Sequence, residues 1–405
     1  MKILFIHQNM PGQFKHLAIR FGQDPANQVV FITKREGTDI PGVRRINYKP
    51  GREPTKGIHH YLIRTEDAVL HGQAVARAMW HLRQEGFIPD IVVAHPGWGE
   101  SLFVKDVYPQ TPLLHHCEFY YRGQGADIGF DPEFPSDLDG LLRSRVRNSH
   151  FLMALEACDR GWSPTQWQKS VHPKDFHHKI SVMHEGVNAT QLKPDPAATF
   201  RLPDGRVLSR DDEVVTYIAR NLEPYRGFHQ FMRAVPLICA ARPKATILIV
   251  GGDEVSYGSP PAGFPHWRAK MLAEVDIDPA RVIFLGRIPY DQFVRFLQVS
   301  SVHVYLTYPF VLSWSTLEAM AVGATVVASR TRPVEEVITH GQNGLLFDFF
   351  SPAALAAQVD EVLREPAAFT ALGESARRAI LRKYDLALCM KQQIAMINDV
   401  ARRRG

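Results

Sequence analysis

The fold prediction starts from the stretch Tyr308-Pro-Phe-Val-Leu-Ser-Trp-Ser-Thr-Leu-Glu-Ala-Met-Ala-Val-Gly-Ala-Thr-Val-Val-Ala-Ser329. The apolar residues 302–306 lead into it and predict a strand, and the polar residues 313–316 predict a turn. Residues 317–322 then predict a short helix that ends at a glycine, and residues 325–328 predict a second strand. The pattern is therefore that of a strand–turn–helix–strand unit in a parallel sheet.

Such a unit places the start of its helix at the carboxyl edge of the sheet, where ligands bind. The unpaired N–H groups and the positive dipole end at this position favour an anion. Glu318, one turn into the otherwise apolar helix, suits hydrogen bonding to sugar hydroxyls. We therefore predict the floor of a nucleotide-diphosphate site, to which five further residues are assigned: Ser313, Trp314, Ser315, Thr316 and Leu317.

Length and composition predict an ordinary globular protein of two domains, because 405 residues are long for one. Hydrophobic residues make up 45% of the chain and charged residues 22%, and the net charge of +5 gives no reason to expect nucleic-acid binding. Two basic clusters stand out, one at Arg143, Arg145 and Arg147 and one at residues 401–405. They are interpreted either as solvated surface or as attraction to an anionic membrane or substrate.

The cysteines and the apolar runs predict a cytoplasmic protein. The four cysteines are scattered and form no C-x-x-C pair, so neither disulfides nor a zinc site are expected. The apolar run at residues 3–6 is too short for a signal peptide, and no run approaches the ~18 apolar residues of a membrane span. Peripheral contact with the inner membrane face is the alternative that the basic clusters leave open. The oligomeric state cannot be predicted.

Strand and helix patterns alternate twice along the chain, on either side of an irregular segment rich in Pro, Asp and Arg at residues 193–210. This predicts an α/β protein of two doubly wound, Rossmann-like domains that face each other across a cleft. The predicted limits are 1–195 for the first domain, 196–385 for the second domain, and 386–405 for a C-terminal helix.

In the first half, polar clusters follow the predicted strands, which is the hint of a site at one sheet edge. Gly12 lies in the turn after the first strand, Gly97 lies in His95-Pro-Gly-Trp-Gly-Glu100, and Glu118 follows a later strand. The two glycines would let a ligand approach the backbone closely. His95 and Glu118 are candidates for positioning a substrate, and structural roles are the alternative. One glycine at position 12 falls short of a dinucleotide-binding fingerprint.

In the second half, the first strand ends in Arg220 and is followed by Arg226, and guanidinium groups there suit a diphosphate. Two surface arginines are the alternative. Later strands end at Gly251 and at Gly286-Arg287, which would line the same edge. There is no P-loop, zincin or G-x-S-x-G motif. Two D-x-D pairs, at residues 137–139 and 276–278, are interpreted mainly as loop acids, the first less firmly.

The motifs of the second half resemble those of the retaining GT-B glycosyltransferases of family 4. The resemblance rests on Arg220 with Arg226-Gly227, on residues 284–289 and 317–329, and on Gly341-Gln-Asn-Gly-Leu-Leu-Phe347. The first half resembles the family's acceptor domain more loosely, through residues 95–100, 117–121 and 184–188.

This resemblance implies a GT-B fold whose C-terminal helix crosses back to the first domain. It also implies transfer from a nucleotide-diphosphate sugar, by base rate a UDP-sugar, to a hydroxyl of a glycan, lipid-linked or small-molecule acceptor. No metal and no other cofactor is expected. The resemblance also implies that Glu318 binds the ribose. Four residues are predicted to be catalytic: Arg220 and Arg226 by stabilising the leaving diphosphate, and His95 and Glu118 by positioning the sugar or the acceptor.

One position departs from the family pattern. The family carries two glutamates separated by seven residues, and the first would fall at Phe310. Sugar recognition and turnover are therefore open, and two alternatives remain: a sugar-nucleotide epimerase of similar fold, and a sugar-nucleotide-binding protein without activity. A Rossmann oxidoreductase is disfavoured because the glycine fingerprint is missing.

Overall fold

The computed structural model describes residues 1–37 and 39–402 and divides the chain into two compact units. The first comprises Met1–Glu185 and the C-terminal segment from Ala387, and the second comprises Gly186–Leu386. The boundary lies earlier than the predicted 195/196, because the start of the predicted linker is attached to the second unit. There the Val187 N–H donates to the Tyr384 carbonyl oxygen at 2.8 Å.

The first unit is built on a seven-stranded parallel sheet of order β3-β2-β1-β4-β5-β6-β7. Its strands are β1 Lys2–Ile6, β2 Gln28–Thr33, β3 Val43–Asn47, β4 Ile91–Ala94, β5 Leu113–His116, β6 Arg160–Ser163 and β7 Ile180–Val182. Its helices up to β7 are α1 Lys15–Gly22, α2 Ile63–Gln84, α3 Val104–Val107, α4 Leu138–Arg147, α5 Ser149–Ala157 and α6 Gln166–Ser170. Strand β3 was not predicted, since its Val-Arg-Arg-Ile-Asn sequence has few apolar residues.

Strand β1 shows why this sheet is apolar on both faces. Leu4 and Ile6 pack into one hydrophobic cluster with helix α2, while Ile3 and Phe5 pack into another with helix α1. Successive side chains of a strand point to opposite faces, so a continuous apolar run is what a doubly covered parallel strand requires.

The second unit has a six-stranded parallel sheet of order β12-β11-β10-β13-β14-β15. Its strands are β10 Val214–Asn221, β11 Thr246–Gly252, β12 Val282–Gly286, β13 Val302–Tyr305, β14 Val326–Ser329 and β15 Leu345–Phe347. A short antiparallel pair, β8 Phe200–Arg201 and β9 Val207–Leu208, lies in the segment predicted to be irregular. The helices are α7 Phe228–Ala241, α8 Trp267–Glu274, α9 Tyr290–Gln298, α10 Trp314–Ala321, α11 Arg332–Glu335, α12 Pro352–Arg364 and α13 Pro366–Ala379.

The last helix, α14 Leu386–Arg402, belongs to the first unit. Ile397 and Val400 are buried in the same cluster as Phe5 of strand β1. The Gln393 side-chain amide donates to the His184 carbonyl oxygen at 3.0 Å. The predicted return of the C-terminal helix to the first domain is thus confirmed. Within the C-terminal basic run, Arg403 and Arg404 lie outside the described residues.

The start of helix α10 was predicted three residues too late. The helix begins at Trp314 and not at 317, because Ser313 caps it. Ser163 ends strand β6, and Thr165 caps α6. Helices α4 and α5 are divided at Asn148, whose side-chain amide bonds the Tyr121 backbone.

The cysteine prediction is confirmed as far as disulfides are concerned, since all four cysteines are free thiols. Within the described residues, no helix is both long and apolar enough to cross a membrane.

Candidate active site

Both sheets reverse their strand order at one point, and the candidate residues gather there. In the first unit the reversal lies between β1 and β4, which lead into His7 and His95. In the second it lies between β10 and β13, which lead towards Arg226 and towards the start of helix α10. In open α/β sheets ligands bind outside the carboxyl ends of the strands at such a reversal.

Arg226 is held by the protein itself. Its Nη1 donates to the Tyr305 hydroxyl at 3.2 Å, to Thr307 Oγ1 at 2.9 Å and to the Val311 carbonyl oxygen at 2.9 Å. The guanidinium is buried, and the next residue is glycine because a Cβ at Gly227 would lie 2.3 Å from that of Leu306. A cation fixed in this way needs no reorganisation when an anion binds.

Two aromatic rings cover this guanidinium. The Arg226 Cζ lies 5.4 Å from the Tyr257 ring centroid and 5.9 Å from that of Phe310, distances of cation–π contacts. The Tyr257 and Phe310 rings meet edge to face at 4.9 Å, and Phe310 also contacts Tyr225 at 5.4 Å. Phe310 is only 2% exposed. The position where the resemblance implies an acid is therefore filled by packed aromatic carbon.

Glu223 explains how Tyr257 is placed, and no pattern in the sequence indicated this role. Its fully buried carboxylate accepts from the backbone N–H groups of Ser256, Tyr257 and Gly258 at 3.0–3.1 Å. A carboxylate with three backbone donors is well satisfied without a cation. Glu223 thus ties the loop after β11 to the turn that carries Arg226.

The start of helix α10 is partly satisfied by its own serines. The Ser315 N–H donates to Ser313 Oγ at 3.3 Å, and the two hydroxyls lie 2.8 Å apart. The Ser313 N–H donates to the Tyr305 hydroxyl, at 2.9 Å, so the same tyrosine contacts both Arg226 and the helix cap. The helix end and the guanidinium are therefore fixed relative to each other.

The remaining predicted residues of this turn differ in exposure. Trp314 is 45% exposed, whereas the side chains of Thr316 and Leu317 are buried. The latter two can serve an anion only through their backbone N–H groups.

Glu318 lies one turn further along α10 and is half-buried. Its Oε1 accepts a hydrogen bond from the Tyr290 hydroxyl at 3.2 Å. Burial raises the pKa of the Glu318 carboxyl to about 7, and the Tyr290 hydrogen bond opposes that rise. A desolvated carboxylate at a sheet edge is a strong acceptor for the vicinal hydroxyls of a sugar.

Other predicted residues of this edge are less closely assembled. Arg220 is exposed at the end of β10. The Arg287 guanidinium donates to Glu254 Oε2 at 2.5 Å and to Asn221 Oδ1 at 3.0 Å. Gly286 adopts a φ of 63°. Gly251 is approached by its own chain, since a Cβ there would lie 2.7–2.8 Å from Leu222 and Ala219.

In the first unit, Glu118 joins two histidines. Gln13 links it to His7: His7 Nε2 lies 2.7 Å from Gln13 Oε1, and Gln13 Nε2 donates to Glu118 Oε1 at 2.7 Å. His95 Nε2 lies 3.4 Å from Glu118 Oε2. His7 and Gln13 were not among the predicted residues, although His7 directly follows strand β1 as His95 follows β4.

Backbone contacts fix which ring nitrogen carries the proton. His7 Nδ1 accepts from the Asn9 N–H at 2.8 Å, and His95 Nδ1 accepts from the Gly97 N–H at 3.0 Å. The proton of each neutral imidazole is then on Nε2, which faces Gln13 in the case of His7 and Glu118 in the case of His95. The two predicted glycines make room for these rings, because a Cβ at Gly12 or at Gly97 would lie 2.6 Å from the adjacent imidazole.

The charges of this cluster follow from its burial. Burial lowers the pKa of His95 and, more strongly, that of His7, so both are neutral at pH 7. Burial alone would raise the pKa of Glu118, but the hydrogen bond from His95 and the charges of His95, His116 and His7 in their protonated forms outweigh it and bring the value to about 2. The cluster therefore presents one carboxylate, towards which the His95 imidazole N–H and the Gln13 amide are directed, and Gln13 in turn contacts His7.

A second acid–histidine pair supports the first. His116 Nε2 lies 2.6 Å from Glu185 Oε1, and the His116 ring stacks on the His95 ring at 5.3 Å. The pKa of Glu185 is lowered: burial opposes this, and the charges of His184 and His116 with the His116 hydrogen bond prevail. Glu185 thus holds the ring on which His95 stacks.

Comparison with known proteins identifies the family. Residues 25–192 match the model described as "Glycosyl transferase family 4 group", and residues 204–379 match "Glycosyl transferases group 1". This chain belongs to the family 4 glycosyltransferases. It is 26% identical, over 88% of its length and 82% of the other's, to the D-inositol 3-phosphate glycosyltransferase of Thermobispora bispora. The enzyme of that name from Acidothermus cellulolyticus is 30% identical over 46% of this chain and 40% of its own.

Solved structures agree with the GT-B fold of this glycosyltransferase. Anabaena HepE in complex with UDP and glucose superposes with a TM-score of 0.66 at 16% identity, over 98% of this chain and 100% of that one. Sucrose-phosphate synthase from Thermosynechococcus elongatus gives 0.73 at 18% identity, over 99% of both chains.

Proposed function

We propose that this glycosyltransferase moves a sugar from a UDP-linked donor to a hydroxyl acceptor, with retention of configuration and without a metal ion. The observation that carries the proposal is the strand reversal of the second unit. It brings together a fixed guanidinium at Arg226, the capped start of helix α10, and a desolvated carboxylate at Glu318. The guanidinium and the helix start are complementary to a diphosphate, and the carboxylate is complementary to a ribose. The complexes of HepE with UDP and UDP-glucose support the choice of donor.

In the proposed reaction the bond between C1 of the sugar and the leaving phosphate oxygen breaks, and the electron pair remains on that oxygen. The acceptor oxygen forms its bond to C1 on the face that the diphosphate leaves, and its proton passes to the departing phosphate. Negative charge grows on the diphosphate in the transition state. In this proposal Arg226, Arg220 and the α10 N–H groups stabilise that charge, as a metal ion does in other enzymes.

The acceptor is assigned to the first unit. The Glu118 carboxylate, with Gln13 and His95 directed at it, is a ready acceptor for a substrate hydroxyl. A glycan, a lipid-linked sugar and a small polyol all present such a hydroxyl. Contact of the protein with an anionic membrane face would follow if the acceptor is lipid-linked.

Arg220→Ala tests the donor site with little risk to folding, because the side chain is exposed. Loss of one donor to a developing anion typically lowers kcat by about 100- to 1000-fold. Sugar release and transfer would be measured over a panel of sugar nucleotides, with thermal unfolding as the folding control and chelator present in one arm. Unchanged turnover in the folded variant would refute the diphosphate assignment, and loss of turnover with chelator would refute metal independence.

Phe310 is the observation that favours the second candidate, a protein that binds a sugar nucleotide without transferring the sugar. Its ring leaves no carboxylate at the position of the family's first glutamate. The same panel separates the two, since that candidate gives a thermal shift with nucleotide sugar but neither transfer nor hydrolysis. Conversion of the donor to an altered sugar nucleotide without acceptor would instead indicate an epimerase.

A further inference from the structure

A cavity of about 520 Å³ lies in the first unit, between helix α4 and the segment that follows Glu118. This volume is within the range of small-molecule sites. Tyr120, Tyr121 and Arg122 line one side, and Leu142 and Arg145 of helix α4 line the other. The lining begins at Tyr120, two residues after Glu118 in the chain.

The charge of the cavity is positive. Two guanidinium groups line it, and no carboxylate does so among the described residues. Arg122 Nε donates to the Val171 carbonyl oxygen at 2.6 Å, which holds its guanidinium 5.2 Å from the Tyr120 ring. Arg145 is exposed and has no ion-pair partner within the described residues. Unpaired arginines that share a cavity are suited to a phosphate.

The nearest acids on helix α4 are engaged elsewhere. Asp137 caps the helix by accepting from the Gly140 N–H at 2.7 Å, and Asp139 accepts a hydrogen bond from the Tyr61 hydroxyl. Within the described residues, neither acid forms an ion pair with Arg122 or Arg145.

The wall of the cavity is preformed. The Asn148 side chain is 3% exposed, accepts from the Tyr121 N–H at 3.2 Å and donates to the Tyr121 carbonyl oxygen at 2.7 Å. Arg147 lies 3.6 Å from the centroid of the Tyr121 ring. The loop is thus fixed to the end of helix α4 before any ligand arrives, which limits the entropy lost on binding.

The cavity also has an apolar side. Leu138 is 70% exposed and Leu142 is 42% exposed, although both line the cavity. Exposed leucines beside a basic group suit a ligand that has an anionic end and an apolar part.

We propose that this cavity binds the acceptor, and that the acceptor carries a phosphate ester near the hydroxyl that receives the sugar. The inference rests on the proposed transfer reaction and adds the chemical class of its acceptor. A soluble polyol phosphate and the head group of a phospholipid share this chemistry, and Arg122 with Arg145 would recognise either.

The test compares Arg145→Ala with Arg143→Ala, because both arginines are exposed on helix α4 and only Arg145 lines the cavity. Calorimetry would measure binding of inositol 3-phosphate, of inositol, and of vesicles with or without phosphatidylinositol. Charged hydrogen bonds are typically worth a roughly 10- to 100-fold change in affinity. We expect Arg145→Ala to weaken phosphate-ester binding at least tenfold and to raise the KM for the acceptor by a similar factor. Arg143→Ala should change neither by more than about twofold.

The outcomes distinguish the two sources of phosphate. Preference for inositol 3-phosphate over inositol, lost in Arg145→Ala, supports a soluble acceptor. The same loss confined to phosphatidylinositol vesicles supports a lipid head group. Equal binding of inositol and its phosphate, or equal effects of the two substitutions, would overturn the proposal.

Failure of the transfer reaction itself would be recognised separately. In that case the wild-type protein would transfer no sugar, whether or not it binds the sugar nucleotide, while phosphate-ester binding that depends on Arg145 would still be measurable. Both variants should bind the sugar nucleotide as the wild type does, since the donor is assigned to the second unit.

Discussion

Glu318→Gln should weaken binding of the proposed UDP-sugar donor by about fivefold at pH 8. The amide keeps the shape of the carboxylate but loses the charge, and hydrogen bonds to a charged group are worth about 1 kcal/mol more than neutral ones. Tyr290, which donates to the Glu318 carboxylate, would remain in place beside the amide. The backbone of helix α10 is unaffected, so the diphosphate contacts should persist.

The pH dependence gives the sharper measurement. With a carboxyl pKa of about 7, Glu318 is about 90% ionised at pH 8 and about 10% ionised at pH 6. If only the carboxylate binds the ribose, donor affinity in the wild type should fall about tenfold between these values, and Glu318→Gln should remove this dependence. Tyr290→Phe is the matched control. It removes the hydrogen bond that opposes the rise in the pKa of Glu318, so the midpoint should move to higher pH.

The same substitution makes a prediction about stability. A carboxyl whose pKa is raised on folding favours the folded state at low pH, and this contribution is lost as the pH rises towards 7. Above pH 7 the ionised Glu318 carboxylate lowers the free energy of unfolding by at most about 3 kcal/mol, and solvent reduces this effect because the site is only half-buried. Glu318→Gln should therefore have a higher free energy of unfolding at pH 8 than the wild type. Wild-type donor affinity in this variant, or lower stability at pH 8, would refute the assignment.

Two further substitutions test the aromatic cover and the first unit. Phe310→Ala should lower the free energy of unfolding by about 3 kcal/mol in denaturant titration, because the ring is buried. It should also weaken UDP binding, since Arg226 loses a contact. Stability like that of the wild type would show that the ring is not packed as described. Glu118→Gln should lower kcat for transfer by about tenfold or more while the Kd for UDP stays unchanged, and a changed Kd with unchanged kcat would contradict the assignment of Glu118 to the acceptor.

The fold was predictable because apolar strands in a parallel sheet carry a strong signal. Residues 302–306 and 325–328 were predicted as strands, and β13 and β14 lie within one residue of those limits. Helix ends were less predictable, since the start of α10 is set by whether the Ser313 hydroxyl caps Ser315 or faces solvent. The hairpin β8–β9 has only two residues in each strand, too few for any period to be detected.

Site residues were predictable where their role depends on their position after a strand. They were not predictable where their role depends on side-chain hydrogen bonds to residues distant in the sequence. Glu318 and Arg226 follow from motif spacing. Glu223 does not, because its role depends on three N–H groups more than thirty residues later in the chain. Gln13 likewise acts by joining His7 to Glu118, at a separation of 105 residues from the latter.

Phe310 shows how these two kinds of information combine. The sequence shows only that Phe310 stands where the family pattern has a glutamate. In the structure, its ring and that of Tyr257 cover the Arg226 guanidinium, and Glu223 holds the loop that carries Tyr257. A carboxylate at position 310 would compete with a diphosphate for that guanidinium, whereas a ring cannot pair with it as an anion does. In the proposed site the Phe310 ring would therefore leave Arg226 available for the diphosphate, and the donor sugar would be recognised by groups other than residue 310.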